Sequence, residues 1–398
     1  MTGCPDPRPR GRATAGVQPA EAALAWFSDM IANCYEVATD AKERGRPVVG
    51  IMCEYTPREI IMAAGAIPVC LCGGSATTIG AAERDLPANL CPLIKSTYGY
   101  HALQSNPFLE MADLIIAETT CDGKKKMFEL MAQTRPTCQL ELPQKPDDPD
   151  ARAHWLRELR KLRTALSQRL ATRVTNEKLR RAIREMNRER RLRRELAALM
   201  KSDAPPLTGR ELLSLKSSIS CLPADLAQYQ AALDSLPMRE RTDLSGRVRV
   251  LLTGVPVVYG AERVVDIIED RGGLVVCQEN CTGLKPILDD VDETVSDPMA
   301  AIADKYFALH CSVMTKNDRR LDALRRLADE YRPQCVIELI WQACLTYDVE
   351  SYFVRRLAED ELGIPYLRIE TDYSPSDSER IAVRVEALYE TVRAGGAG

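Results

Sequence analysis

The amino-acid sequence predicts an α/β protein in which two doubly wound parallel-sheet domains flank an α-helical one. Three observations carry this. Short apolar runs alternate with amphipathic stretches over residues 21–145, the signature of a parallel sheet covered by helices. A Pro- and Asp-rich linker at 143–150 then leads into long Leu- and Arg-rich helical periodicity. From Arg247 the alternation resumes. The expected divisions are a disordered tail at 1–20, an N-terminal α/β domain at 21–145, a helical domain at 146–245 and a C-terminal α/β domain at 246–398. The two halves share a pattern but no visible sequence repeat.

In the first half, residues 22–44 read as an amphipathic helix with Cys34 packed on it, followed by a strand at 48–52. Thr56-Pro57-Arg58-Glu59 predicts a helix start with a capping box and Pro at the first helical position. Gly65 closes that helix, and strands follow at 67–71, 113–117 and 137–142, with a helix over 124–132. In the middle, Leu159, Leu162, Leu166 and Leu170 recur at helical spacing. A second helix over 176–200 carries Leu179, Ile183, Met186 and Leu196 on one face. Its other face bears Arg188, Arg190, Arg191, Arg193 and Arg194, read as a solvated face laced with Glu or as a docking face for an acidic partner. The second half reads as strands at 248–253, 273–277, 335–341 and 365–370, with helices at 261–270, 351–361 and 376–393.

Composition narrows the function. The chain has 398 residues, 45% of them hydrophobic, ample for a buried core. A net charge of -4 and only 5% aromatics argue against nucleic-acid binding. No apolar run approaches the roughly 18 residues of a membrane span. The first residues lack the apolar stretch of a signal peptide, so a cytoplasmic protein is expected, with Cys4 an incidental thiol on the tail. Disulfides rarely persist in that compartment. Fourteen cysteines against three histidines, with no C-x-x-C pair, disfavour zinc ribbons and redox dithiols. Thiolates gathered from distant loops point instead to an iron–sulfur cluster.

Ligands of open parallel sheets bind beyond the carboxyl ends of the strands. Several cysteines fall in such loops: Cys53, Cys91 and Cys121 in the first half, Cys281, Cys311 and Cys344 in the second. Cys277 and Cys335 lie inside apolar strands and read as core. Cys70 and Cys72 alternate along one strand and share a face, with Cys72 a reserve ligand in place of Cys53. Cys138 and Cys221 have no evident partner. From spacing alone, the six loop cysteines are either ligands or scattered thiols.

Several motifs carry a family resemblance. Cys53-Glu54-Tyr55-Thr56-Pro57-Arg58-Glu59, with Ala63 to Val69 beyond it, resembles the 2-hydroxyacyl-CoA dehydratase/benzoyl-CoA reductase superfamily. Leu90-Cys91-Pro92-Leu93-Ile94-Lys95-Ser96, Thr119-Thr120-Cys121-Asp122-Gly123-Lys124-Lys125-Lys126-Met127, Glu279-Asn280-Cys281-Thr282-Gly283, Cys311-Ser312-Val313-Met314 and the segment Cys344-Leu345-Thr346-Tyr347-Asp348 narrow it. Together they resemble the double-cubane-cluster branch, whose members often carry the label of a dehydratase D-component. The resemblance implies two Rossmann-like domains joined by a helical one, a homodimer, and two cubanes joined by one sulfide, an [8Fe–9S] cluster. Each cubane then needs three thiolates, matching the six loop cysteines; a single [4Fe–4S] cubane would need three in all. Where the family usually has His, this chain has Leu345, and Met314-Thr315-Lys316-Asn317 lacks a common Pro.

The resemblance further implies a separate ATP-hydrolysing iron–sulfur activator, consistent with the lack of a G-x-x-x-x-G-K-[ST] loop here. The leading expectation is an iron–sulfur reductase component acting on a small substrate. The alternatives are a single-cubane 2-hydroxyacyl-CoA dehydratase subunit taking an acyl-CoA, and a non-catalytic electron store or cluster carrier. Glu54 and Asp122, beside ligand cysteines, are the candidate catalytic acids. Lys124, Lys125 and Lys126 open a helix, where cations are unfavourable. They are expected either in solvent or beside an anion.

Overall fold

The computed structural model describes residues 19–395. The first half is a four-stranded parallel sheet of β1 (Val48–Ile51), β2 (Ile67–Cys70), β3 (Leu114–Glu118) and β4 (Thr137–Leu140), in the order β2-β1-β3-β4. The second half repeats this with β5 (Val248–Gly254), β6 (Gly273–Glu279), β7 (Cys335–Trp341) and β8 (Tyr366–Thr371), in the order β6-β5-β7-β8. The expected α/β class with two doubly wound sheets is present. In each sheet the chain reverses its direction of growth beside the first strand, so a crevice opens at the carboxyl ends of β1 and β3, and of β5 and β7.

The helical segment contributes to both halves. The helix Pro149–Arg169 lays Trp155, Leu159, Leu162 and Leu166 against Val49, Ile51 and Ile116 of the first sheet, all fully or almost fully buried. The helix Asn176–Ala198 begins on that core with Leu179 and Ile183 and ends, through Leu192 and Leu196, on the core of the second half. One long helix thus bridges the two sheets. The halves also meet directly at Gly74, where an added Cβ would lie 2.7 Å from the Tyr259 carbonyl oxygen.

Several local expectations need correction. Residues 1–18 of the expected tail, with Cys4, lie outside the described residues, but Pro19 and Ala20 already belong to the helix Pro19–Ser28. The single helix expected over 22–44 is two, because the chain leaves helical geometry at Asp29 before Met30–Glu43. The Asn33 amide donates to the Trp26 carbonyl across that break, at 3.0 Å. The expected capping box at Thr56 does not form. The helix is Arg58–Ala63, Thr56 turns its hydroxyl to Glu118, and Glu59 is buried against Arg190. The arginine face of Asn176–Ala198 is not a solvated stripe either: Arg190 pairs with Glu59 at 2.6 Å, while Arg191 and Arg194 both reach Asp290. Among the described residues, no helix is long and apolar enough to cross a membrane.

Trp155→Ala should cost about 3–5 kcal/mol, since it opens a cavity in the layer sealing the first sheet. Urea unfolding of the variant beside the parent checks this.

Candidate functional site

Each of the six loop cysteines sits where a sheet or helix ends. Cys53 lies just past β1, Cys281 just past β6, and Cys311 in the loop after the helix Pro298–Phe307. The other three are N-caps: Cys91 of Pro92–Leu103, Cys121 of Asp122–Met131 and Cys344 of Leu345–Arg356. Pro92 follows Cys91 because the first helical position needs no amide donor. A thiol at a helix N-terminus faces unpaired amides and the positive end of the helix dipole, which favours thiolate.

The structure brings these loops into one neighbourhood. Burial pushes the Cys53 thiol well up, against the pull of Lys124, and the charges of Cys281 and Cys311 add to it. Cys281 is pushed up to about 12, first by burial and also by Cys311. Cys344 and Cys91 act on each other, Cys91 drawn down and Cys344 pushed up. Cys121 is raised by burial and feels Cys91. Two groups of three emerge, Cys53 with Cys281 and Cys311, and Cys91 with Cys121 and Cys344. Cys121 also feels Cys311, which joins the groups. The first group draws on both halves of the fold, and so does the second.

Hydrogen bonds hold the loops in place. Tyr55 donates to the Leu309 carbonyl at 2.7 Å, tying the Cys53 loop to the Cys311 loop. Gln144 donates to the Thr120 carbonyl at 2.7 Å and accepts from the Thr315 amide at 2.8 Å, tying the Cys121 and Cys311 loops. The Asn280 side-chain oxygen accepts from the Thr282 and Gly283 amides, at 3.0 and 2.9 Å, and so shapes the turn around Cys281. Gly283 is required there, because a Cβ would meet the Gln278 carbonyl oxygen at 2.3 Å. Beneath this turn Glu279 is fully buried with Lys285 at 3.2 Å, His310 at 3.0 Å and Arg320 at 3.4 Å. Burial alone would raise its carboxyl, but these partners hold it far below the ordinary range.

The acids and lysines are arranged differently from expectation. Asp122 is almost fully exposed and paired with Lys125, which holds its carboxyl low, so it keeps no proton to donate near neutrality. Glu54 is half-buried and pairs with Arg58 at 2.9 Å. Of the three lysines, Lys125 and Lys126 stay outside in ion pairs with Asp122 and Glu129. Lys124 turns inward and donates to the Met52 carbonyl at 2.7 Å. Burial works against its charge, yet Cys53, Cys72, Glu118 and Cys121 together raise it. Cys72, the reserve ligand, lies beside Cys53. Its thiol donates to Met52 at 3.4 Å, and both sulfurs share the field of Lys124.

Sequence reasoning missed Glu118. It ends β3 fully buried, with one oxygen accepting from Thr56 and the other without a hydrogen-bond partner. Burial pushes its carboxyl up to about 8. The only sequence signal was an acid closing an apolar strand, three positions before Cys121.

As a donor set, the site offers six thiols, with Lys124 and Lys285 and the carboxyl groups of Glu118 and Glu279 beside them. Among the described residues, no three Cys, His, Asp or Glu side chains gather closely enough to hold a single metal ion. That spread suits a polynuclear cluster, in which each iron takes its own thiolate, better than a mononuclear site.

Glu118 also yields a pH prediction. The native state keeps a proton that the unfolded chain loses above its ordinary value of 4.5, so stability falls as pH rises toward about 8. Glu118→Gln should flatten that part of the slope. Urea titrations of metal-free parent and variant across about pH 5 to 8 measure it.

The chain matches the family described as 2-hydroxyglutaryl-CoA dehydratase, D-component, over residues 53–392. It is 41% identical over 370 residues to the "Putative dehydratase subunit YjiM" of Escherichia coli (strain K12), covering 92% of this chain and 96% of that one. It is 23% identical over 377 residues to the (R)-phenyllactyl-CoA dehydratase beta subunit of Clostridium sporogenes, covering 92% and 97%. A benzoyl-CoA reductase subunit of Thauera aromatica is also 23% identical, over 384 residues, 90% of this chain and 96% of that one. Nearly the whole length of each relative is matched, including the bridging helices and both sheets. The chain therefore belongs to the 2-hydroxyglutaryl-CoA dehydratase, D-component family and is an enzyme of its dehydratase and reductase type.

Proposed function

We propose that this chain is the iron–sulfur component of a low-potential reductase system, holding a double-cubane [8Fe–9S] cluster and reducing a small substrate in the cleft between its halves. What supports this reading is that six thiols, from six separate loops, act on one another's charge in two sets of three. Cys91, Cys121 and Cys344 would hold one cubane, and Cys53, Cys281 and Cys311 the other. Soft thiolate donors select such clusters. When bound, a cluster of this kind supplies single electrons at low potential.

The protein's own residues prepare the site. Lys124 sets a buried positive charge beside Cys53 and Cys121, and Lys285 does the same for Cys281. Three helix N-termini add partial positive charge at Cys91, Cys121 and Cys344. Glu118 holds a proton in the first half, on a buried carboxyl whose second oxygen has no hydrogen-bond partner. Trp341 and Tyr373, in edge contact at 4.8 Å between ring centres, add apolar bulk that limits access of water.

Electrons would come from a separate ATP-hydrolysing activator. Leu345, Val349, Tyr352 and Phe353 form an apolar face on the helix that Cys344 caps, with Leu345 and Val349 each 72% exposed. This is the place from which a docked donor lies nearest a proposed ligand. Val349→Asp should abolish reduction by the activator while dithionite reduction and iron content persist. A drop in native mass instead would assign the face to a contact between copies of the chain.

A single-cubane subunit acting on an acyl-CoA is the second reading, favoured by the dehydratase names of the relatives. Anaerobic iron and sulfide analysis separates the two, with about eight irons per chain expected here against about four. The Cys281→Ser/Cys311→Ser variant should fall to about four and keep a cubane spectrum. No loss of iron in that variant overturns the assignment.

A further inference from the structure

A cavity of about 120 Å³ lies where the helical segment meets both halves, and Cys72 and Cys281 stand on its wall. Its charges do not balance. Three arginines line it and each has a carboxylate: Arg58 with Glu54 at 2.9 Å, Arg190 with Glu59 at 2.6 Å, and Arg193 with Glu189 at 3.7 Å. Two lysines also line it, Lys216 and Lys305, and among the described residues neither has a carboxylate within ion-pair distance. Lys216 donates to the Val257 carbonyl at 3.1 Å and Lys305 to the Pro286 carbonyl at 2.9 Å. Each bond uses one of three ammonium protons, which leaves donors on both for something else.

Placing two such side chains in a partly desolvated cleft without counter-charge is costly unless a partner completes it. Burial lowers Lys305 to about 7 and Lys216 to about 8, outweighing the carboxylates further off, Glu59 and Glu262. The rest of the wall includes Met30, Met186 and Ile287, so the space offers apolar surface as well as charge. An apolar cavity of about 150 Å³ admits benzene, so this one takes a molecule of about five or six heavy atoms.

We propose that this cavity binds a short-chain carboxylate as a free acid, with Lys216 and Lys305 supplying the counter-charge and the apolar part of the wall taking its hydrocarbon end. The proposal rests on the reading that the chain reduces a small substrate, and it names the chemical class. Cys72 and Cys281 in the wall set such a molecule beside the thiol site.

Propionate is the probe, titrated calorimetrically into the anaerobically purified full-length protein. Propionate should bind, whereas propionamide of the same shape should not. Lys216→Met and Lys305→Met should each weaken propionate by about tenfold or more, the size of one ion pair turned into affinity. Lys305→Arg, which restores the charge, should recover most of the loss and guards against a folding defect. Equal binding of propionate and propionamide, no effect of either Lys→Met change at unchanged iron content, or no binding to the parent protein overturns the proposal. Iron analysis of the same samples reports separately on the cluster: iron-free protein that still binds propionate through both lysines sinks the reductase reading but not the anion site.

Discussion

Everything at this site depends on how negative charge is confined in a cleft that water barely reaches. Six thiols, Glu118 and Glu279 lie within one region, and the protein answers with few but fully buried cations. Glu279 is the fixed point of the second half. Lys285, His310 and Arg320 converge on it, and Arg320 continues to Glu338 at 2.9 Å and to Glu350. Breaking one partner out of such a network typically costs about 3–5 kcal/mol, because an unpaired charge stays behind. The network also has a positional consequence: Glu279 is two residues from Cys281, His310 adjoins Cys311, and Lys285 donates to Tyr347 at 2.8 Å, three residues past Cys344. One ionic knot therefore sets three cysteine loops at once.

The first half uses a different device. Its thiols are placed by strand ends and helix starts, and the charge is answered by Lys124 from the first turn of a helix. That position is poor for a cation in isolation. The cost is offset by the Met52 carbonyl and by the surrounding thiols, so the lysine is tolerable only where the cysteines are. The two sheets share one topology, yet the cleft between them is chemically lopsided, with a protonated carboxyl on one side and a fully paired carboxylate on the other.

Much of this was legible beforehand. Short apolar runs marked the fully buried strands, because a doubly covered parallel strand must be apolar along its length, while the edge strands β4 and β8 carry polar residues such as Gln139, Arg368 and Glu370. The leucine stripe of 159–166 was read from spacing and is buried on the first sheet. The cysteines of interest were separable from Cys277 and Cys335 because strand-end loops and strand interiors differ in sequence context. Boundaries were less secure. The break at Asp29 and the absent capping box at Thr56 both arise from partners the local pattern does not reveal, Trp26 with Asn33 and Glu118 with Thr56.

What the sequence determined by itself was local: alternation, helical spacing, the positions of thiols relative to strand ends, and the motif pattern of the family. Which charges are buried was decided only by the tertiary structure. Lys124, Lys125 and Lys126 are the same residue in succession, and packing alone sends the first inward and leaves the others in solvent. Glu118 and Asp122 are likewise both acids near Cys121, yet one keeps its proton and the other cannot. Side-chain charge state depends on what the fold brings within a few ångström, and that contact is set by residues far away in the chain.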